Sequence, residues 1–101
     1  MNGLQFQFEW EEIKAAANVR KHGISFDLAR KVFNDQRLLS IADLEHSDAE
    51  ERWLSIGCAS NGMMLSVVYL WFEGDAATSK VRMISARKAT YTEIRQYQES
   101  L

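Results

Sequence analysis

The chain of 101 residues fits one domain spanning residues 1–101, because a core divided between two halves would leave each half marginal. Hydrophobic residues make up 47 % of the chain and charged residues 26 %, which excludes a disordered or fibrous protein. The net charge of -2 argues against a general nucleic-acid-binding protein, since such proteins carry a strong positive excess.

The sequence shows neither a membrane span nor a secretion signal. Its longest apolar run, residues 63–72, is shorter than the roughly 20 residues that a spanning helix needs. The N-terminal stretch "MNGLQFQFEWEE" has no basic region, continuous apolar core or cleavage site. Cys58 is the single cysteine, has no partner for an internal disulfide and is interpreted as an apolar strand residue. We therefore expect a cytoplasmic protein.

Charge is segregated along the chain. Residues 14–31 and residues 80–95 each hold five Lys or Arg residues against one carboxylate, whereas residues 43–51 are acidic and contain no Lys or Arg. A basic surface results if the two cationic segments meet in space.

The first half of the chain predicts a strand and two helices. Alternation of apolar and polar residues predicts a short half-buried strand, at the edge of a sheet, with Leu4, Phe6, Phe8 and Trp10 on its apolar side. Helical spacing predicts a first helix over residues 11–21, which stops at Gly23 and has an apolar side of Ile13, Ala16 and Ala17. A second helix, capped by Ser25, ends near residues 34–35.

The second half predicts four strands and a last helix. The strands cover residues 38–42, 52–60, 63–72 and 80–86, with an acidic loop before the second, an Asn61-Gly62 hairpin before the third and a polar loop over residues 73–79 before the fourth. Thr90 and Glu93 form a capping box that opens the last helix, whose apolar side is Ile94, Tyr97 and Leu101.

The predicted order is β-α-α-β-β-β-β-α. Consecutive strands joined by short links form antiparallel sheets, and helices at the chain ends are typical of α+β domains. We therefore expect a two-layer α+β fold, in which an antiparallel sheet of four to five strands packs with two N-terminal helices and one C-terminal helix.

Metal and cofactor chemistry finds little support in the sequence. His22 and His46 are the only histidines and have no metal-binding spacing, and neither a Gly-rich phosphate loop nor a G-x-S-x-G elbow is present. We therefore expect no metal and no cofactor.

With metal and cofactor chemistry set aside, the residues left as candidates for chemistry are cations and a few groups able to transfer protons. They are Arg52, Arg82, Arg87, Lys88, Lys21, His22, Glu51 and Tyr97. Metal-free RNA cleavage removes a proton from the 2'-OH, stabilises the extra charge on the attacked phosphate and protonates the departing 5' oxygen. Arginine suits the second task, since the guanidinium grips two phosphate oxygens and stays charged.

Structural roles explain the same residues without catalysis. Arg82 and Arg87 also fit a solvated strand face paired with Glu50, Glu51 or Glu93. His22 can cap the carbonyls of the first helix, Tyr97 can be a core residue with a wet hydroxyl, and the tryptophans at positions 10, 53 and 71 are interpreted as core.

Three motifs together resemble the BrnT toxins: "FEWEEIKAAANVRKHGISFDLARKVFND" (residues 8–35), "ERWLSIG" (51–57) and "VRMISARKATYTEIRQY" (81–97). The resemblance covers about nine tenths of the chain. It implies a RelE-like fold and a type II toxin that cleaves RNA and inhibits translation. It also implies a BrnA-like antitoxin, whose ribbon-helix-helix part binds operator DNA, so that the toxin itself contacts DNA only through this partner.

On this basis we expect a metal-independent endoribonuclease with three phosphate-binding arginines, Arg52, Arg82 and Arg87. His22, Glu51 and Tyr97 are the candidates for proton transfer, and Lys14, Lys21 and Lys88 the candidates for binding the RNA backbone. The alternative is a non-catalytic module that binds a ribbon-helix-helix repressor or RNA. For the antitoxin, the strand ending at Phe72 offers apolar anchors, and the acidic residues 43–51 suit a basic arm.

The geometry of the last strand decides whether the arginines converge. In a regular strand, Arg82 and Arg87 point to opposite faces of the sheet, because their numbers differ by five. They share one face only if the chain turns or bulges near Ala86.

Overall fold

The structure is a computed structural model that describes residues 5–46, 50–73 and 78–100. In these ranges, the strands are β1 (Gln5–Glu9), β2 (Leu39–Ala42), β3 (Glu51–Cys58), β4 (Met64–Glu73) and β5 (Thr78–Lys88). The α-helices are α1 (Glu12–His22), α2 (Phe26–Ala29) and α3 (Tyr91–Glu99), and two short 3-10 helices cover Arg30–Asn34 and Leu44–His46. No helix within the described ranges has the length and apolar character to cross a bilayer.

The predicted α+β fold and element order are confirmed. The described strands form one sheet in the order β1-β5-β4-β3-β2, and β1 is an edge strand as predicted. Strands β2 to β5 pair antiparallel, whereas β1 pairs with β5 in parallel, so the sheet is mixed. Short links force the four consecutive strands to run antiparallel, but no such link constrains the direction in which β1 meets β5.

Local capping signals in the sequence are confirmed. The Ser25 side chain accepts a hydrogen bond from Leu28 N–H, and Thr90 and Glu93 form the predicted capping box. Gly23 ends α1 with a φ of 72°, and Gly62 has a φ of 86° in the hairpin between β3 and β4. Both glycines adopt the left-handed conformation, which costs least without a Cβ atom.

Some boundaries differ from the predicted ones. The second helix is α-helical only over Phe26–Ala29 and continues as a 3-10 helix to Asn34. The predicted loop at residues 73–79 is wrong at both ends, because Glu73 belongs to β4 and Thr78 already begins β5. Its middle, residues 74–77, lies outside the described residues, as do Leu4, Leu101 and residues 47–49 of the acidic loop.

The core lies between one face of the sheet and the helices α1 and α2. Phe26 and Ala29 of α2 pack there with Val67 of β4 and with Val81 and Met83 of β5. The three tryptophans are half-buried, and they pack against this cluster as predicted.

The buried side of α1 was predicted wrongly. Ile13 is 83 % exposed, and the buried residue of the helix is Asn18. The Asn18 amide nitrogen donates to the carbonyls of Ile24 and Ala86 at 2.8 Å each, and its oxygen accepts from Ala86 N–H at 3.1 Å. Asn18 thus satisfies both backbone groups of Ala86, which lies in the part of β5 beyond the end of β1. These hydrogen bonds explain why Asn18 rather than Ile13 is on the buried side of α1.

Helix α3 lies on the opposite face of the sheet and covers part of it. Glu93 of α3 contacts Ser66 of β4 and Arg87 of β5, which are register partners, and Ile56 of β3 continues this row. Ile56 and Ser66 are 0 % and 1 % exposed, so this end of the face is closed. In the described part of the chain, residues at the other end, among them Leu54, Leu70 and Phe72, are only half-buried.

Candidate functional site

A bulge in β5 places Arg82 and Arg87 on the same face of the sheet. Tyr69 pairs with Met83 but Val68 pairs with Ser85, so Ile84 is an extra residue in β5. Before Ile84 the odd-numbered residues face the core, and after it the even-numbered Ala86 does. The two arginines therefore share a face because of a bulge, which lies two residues before the predicted place.

We call the uncovered part of this face, beyond α3, the open face. Strand register places polar, charged and half-buried apolar residues there: Gln7, Glu9, Arg52, Leu54, Val68, Leu70, Phe72, Lys80 and Arg82. Because these residues project from paired strands, their backbones are held rigidly by the sheet.

Arg52 and Arg82 lie in one row across the open face. Arg52 pairs with Leu70, Leu70 pairs with Arg82, and Glu9 of β1 pairs with Arg82 on the other side. Adjacent strands are about 4.8 Å apart, so the Cα atoms of Arg52 and Arg82 are separated by about 10 Å. Two arginine side chains can therefore reach one phosphate above Leu70.

Glu9 holds the cations at the β1 end of the row. Arg82 Nε donates to Glu9 Oε2 at 2.7 Å, and Lys80 Nζ lies 3.7 Å from Glu9 Oε1. The hydrogen bond from Arg82 to Glu9 raises the pKa of the guanidinium, which stays charged. Within the described part of the chain, the two terminal amino groups of Arg82 have no hydrogen-bond partner, so they remain able to bind an anion.

Arg52 stands at the other end of the row, beside Asp43. Its Nε lies 3.3 Å from Asp43 Oδ2, and its side chain is 33 % exposed. His46 Nδ1 is also 3.0 Å from this carboxylate. Hydrogen bonding to His46 and the charge of Arg52 lower the pKa of Asp43.

Arg87 lies apart from the row and binds α3. Its partner Ser66 is four residues from Leu70 along β4, a distance of about 13 Å. Both terminal amino groups of Arg87 donate to the Glu93 carboxylate, at 2.8 and 2.9 Å. The guanidinium thus already has a bidentate carboxylate partner.

Tyr97 and Glu51 also lie away from the row. Tyr97 Oη donates to Asp35 Oδ2 at 2.6 Å, and this hydrogen bond raises the pKa of Tyr97 to about 12. Glu51 precedes Arg52 in β3 and therefore projects from the opposite face of the sheet, where it accepts a hydrogen bond from Trp53 Nε1 at 3.3 Å.

The remaining residues predicted to bind RNA or to transfer protons lie on α1 and at the end of β5. Lys14 is exposed and forms an ion pair with Glu11 at 3.2 Å. Lys21 and His22 end α1, one turn after Asn18, and Lys88 ends β5, two residues after Ala86. The Asn18 contact with Ala86 therefore joins the two elements that carry Lys21, His22 and Lys88, but these residues are not part of the row on the open face.

The sequence did not single out Glu9 or Lys80 as site residues, and it indicated Phe72 only as the end of a strand with anchors for the antitoxin. Glu9 lies on the polar side of the alternating β1 pattern, which cannot be placed beside Arg82 without the parallel pairing of β1 and β5. Within the described ranges, no group of three His, Cys, Asp or Glu residues is arranged to hold a metal ion.

Fold and face together define the class: a small α+β domain with one mixed sheet, whose uncovered face presents arginines beside a carboxylate. Residues 10–93 match the family model described as the ribonuclease toxin BrnT of type II toxin-antitoxin systems. The chain therefore belongs to the BrnT toxin family, which confirms the resemblance seen in the sequence and implies an antitoxin partner.

A solved structure supports the fold. The crystal structure of the Brucella abortus ribonuclease toxin BrnT, at 1.1 Å resolution, matches with a TM-score of 0.56 and 23 % identity, over 85 % of this chain and 99 % of that chain. No curated protein sequence matches the chain.

Proposed function

We propose that this toxin is an endoribonuclease that cleaves RNA without a metal ion on the open face. The observation that carries the proposal is the row of Arg52, Leu70, Arg82 and Glu9, in which two arginines flank Leu70 and a carboxylate adjoins one of them. Charge stabilisation by fixed guanidinium groups is the largest requirement of phosphoryl chemistry without metal.

In this reaction, the substrate's 2'-oxygen attacks the adjacent phosphorus while the bond from phosphorus to the 5' oxygen breaks. The products are a 2',3'-cyclic phosphate and a free 5'-hydroxyl. Arg52 and Arg82 bind the phosphate oxygens, where charge accumulates. Glu9, next to Arg82, accepts the proton of the 2'-OH, and the ammonium of Lys80 is the neighbouring group able to protonate the departing oxygen.

The other predicted residues take supporting roles in this proposal. Lys14, Lys21, His22 and Lys88 bind the RNA backbone outside the row. Arg87 and Tyr97 position α3 through Glu93 and Asp35. Glu51 has no part in the reaction, because it projects from the opposite face.

The proposal extends to the partner and the consequence of cleavage. Cleaved RNA stops translation in the cytoplasm, and a BrnA-like antitoxin with a ribbon-helix-helix DNA-binding part neutralises the toxin. Operator DNA is then bound only through that antitoxin.

One observation favours the alternative, a non-catalytic module that binds a repressor or RNA. Glu9 already forms ion pairs with both Arg82 and Lys80, and Glu93 forms one with Arg87, so a phosphate must compete with internal carboxylates. A surface of this kind suits weak, reversible binding as well as catalysis.

Cleavage by purified protein in the presence of a metal chelator tests the proposal. We expect products ending in 2',3'-cyclic phosphate, and a rate reduced about 100- to 1000-fold in Arg82→Ala, the range for loss of one charge-stabilising donor. Arg95→Ala is the matched control, since Arg95 is an exposed arginine of α3 paired with Glu99.

Three results would count against the proposal. Full activity in the double variant Arg52→Ala/Arg82→Ala would remove the site from the open face. Activity that disappears with the chelator would show a metal requirement. Salt-sensitive RNA binding without products would support the non-catalytic alternative.

A further inference from the structure

A cavity adjoins the proposed cleavage row on the open face. Its volume is about 460 Å³, and its lining includes Gln7, Glu9, Phe72, Glu73, Lys80 and Arg82. A volume of this size is within the range of small-ligand sites in proteins, about 300 to 1000 Å³.

The cavity is built by a second row of side chains parallel to the first. Lys80 of β5 pairs with Gln7 of β1 on one side and with Phe72 of β4 on the other. This row lies two residues along the strands from Glu9 and Arg82, a distance of about 7 Å. The cavity therefore lies directly beside the proposed position of the scissile phosphate.

The three residues of the second row provide different chemistry. The ring of Phe72 is half-buried, and the Arg82 guanidinium carbon lies 5.9 Å from its centre. This separation is at the outer limit for a cation–π contact, so the contact holds the ring only loosely. Gln7 offers an amide donor and acceptor, and Lys80 offers an ammonium group with 48 % exposure.

An aromatic ring, a side-chain amide and a cation on neighbouring strands are the features by which proteins hold one unit of single-stranded RNA. The lining carries two cations, Lys80 and Arg82, and two carboxylates, Glu9 and Glu73, so the aromatic ring and the amide, rather than a net charge, favour a nucleotide over a protein segment. We propose that the cavity is a nucleotide subsite: the base next to the scissile phosphate stacks on Phe72, Gln7 hydrogen-bonds its edge, and Lys80 binds the neighbouring phosphate.

This inference rests on the proposed cleavage site, but it is tested separately from cleavage. The probe is a fluorescently labelled single-stranded RNA of about ten nucleotides with 2'-O-methyl groups throughout, which binds but cannot undergo attack by its 2'-oxygen. Binding is measured by fluorescence anisotropy, and base preference by sequencing the ends of fragments cut from a randomised unmodified RNA.

Phe72→Leu removes the ring and keeps an apolar side chain, so we expect its dissociation constant to rise about five- to hundredfold, the range for loss of one stacked base. Phe72→Trp restores binding, which a purely structural role would not require. Gln7→Leu flattens the base preference at one position beside the cut. The controls are Tyr91→Leu and Gln98→Leu, exposed residues of α3 that we expect to leave binding and preference unchanged.

The outcomes separate the two proposals. RNA cleavage with wild-type affinity and preference in Phe72→Leu and Gln7→Leu overturns the subsite and leaves the ribonuclease proposal intact. Phe72-dependent binding of the probe without cleavage of unmodified RNA supports the subsite and overturns the ribonuclease proposal. Loss of antitoxin binding with unchanged probe binding in Phe72→Leu also overturns the subsite, because the cavity then serves a protein partner.

Discussion

The guanidinium of Arg87 donates two hydrogen bonds, of 2.8 and 2.9 Å, to the carboxylate of Glu93, and so joins the last strand to the last helix. The same carboxylate accepts the N–H of Thr90 at 2.8 Å, as part of the capping box. Hydrogen bonding to Arg87, followed by the Thr90 bond, lowers the pKa of Glu93 to about 2. One carboxylate thus serves both the ion pair with Arg87 and the capping box at the start of α3.

Glu93→Gln is expected to destabilise the fold in a pH-dependent way. Because the folded-state pKa of Glu93 lies below its ordinary value of 4.5, its stabilisation is present above pH 4.5 and is lost as the pH falls towards about 2. We expect a loss near neutral pH of about 2 kcal/mol, below the roughly 3 kcal/mol that the change in pKa would give without solvent screening.

Urea unfolding across this pH range measures the effect of Glu93→Gln. The difference in unfolding free energy between wild type and variant should shrink on acidification. Glu99→Gln, in the exposed pair with Arg95, is the matched control and should show almost no difference. A difference that stays constant from neutral pH down to pH 2 would contradict this assignment.

Tyr97→Phe is expected to cost stability rather than catalysis. The Tyr97 hydroxyl donates to Asp35, which also accepts the N–H groups of Cys58 and Arg37, so that one carboxylate ties α3 to β3 and to the turn before β2. Loss of a hydrogen bond to a charged group costs about 1.5 to 3 kcal/mol. Urea unfolding measures this cost, with exposed Tyr91→Phe as the control.

The tyrosine titration gives a second readout for Tyr97. Absorbance at alkaline pH should lose the component with a pKa of about 12 in Tyr97→Phe. A hydroxyl whose proton is held by Asp35 is a poor acid at neutral pH. A large fall in the RNA cleavage rate with unchanged stability would instead make Tyr97 a proton donor.

Asn18→Ala is expected to destabilise the fold more than the replacement of a small polar residue usually does. The side chain is 6 % exposed and satisfies the carbonyl of Ile24 and both backbone groups of Ala86. Leaving buried polar groups unsatisfied costs about 1 to 3 kcal/mol each, so we expect a loss of about 3 kcal/mol or more. Hydrogen exchange at Ala86 N–H should accelerate more than at Met83 N–H.

Two comparisons sharpen the Asn18 test. The exposed Asn34→Ala should change the unfolding free energy by less than about 0.5 kcal/mol. Asn18→Asp should be at least as damaging as Asn18→Ala near neutral pH, because a carboxylate would face two carbonyl oxygens. Near-wild-type stability in Asn18→Asp would argue that water replaces these hydrogen bonds.

The sequence predicted correctly those features of the fold that depend on residues close together in the chain. The caps at Ser25 and Thr90, the stop at Gly23 and the hairpin at Gly62 are short-range signals, and each is found where it was expected. The order of elements follows from these signals together with hydrophobic periodicity. The α+β class then follows from the order.

What the sequence could not predict depends on pairing between distant residues. The parallel contact of β1 with β5 places Glu9 beside Arg82, although they are far apart in the chain. The bulge at Ile84 was not predictable, because no glycine near it in the sequence indicates a bulge. This bulge reverses the face of the sheet from which Arg87 projects. The burial of Asn18 also comes from a distant partner, Ala86. The sequence therefore indicated candidate residues by their type, but it did not predict which of them lie together, nor that Glu9 lies beside Arg82.

Glu9→Gln distinguishes a proton acceptor from a simple counter-ion of Arg82 and Lys80. If Glu9 accepts the 2'-OH proton, the single-turnover cleavage rate should fall about 100-fold or more, the range for loss of a general base. Affinity for 2'-O-methyl RNA should rise, most at low salt, because both cations lose an internal carboxylate. Glu99→Gln, an exposed carboxylate of α3 paired with Arg95, is the control. Tighter binding with an unchanged cleavage rate would leave Glu9 as a counter-ion only.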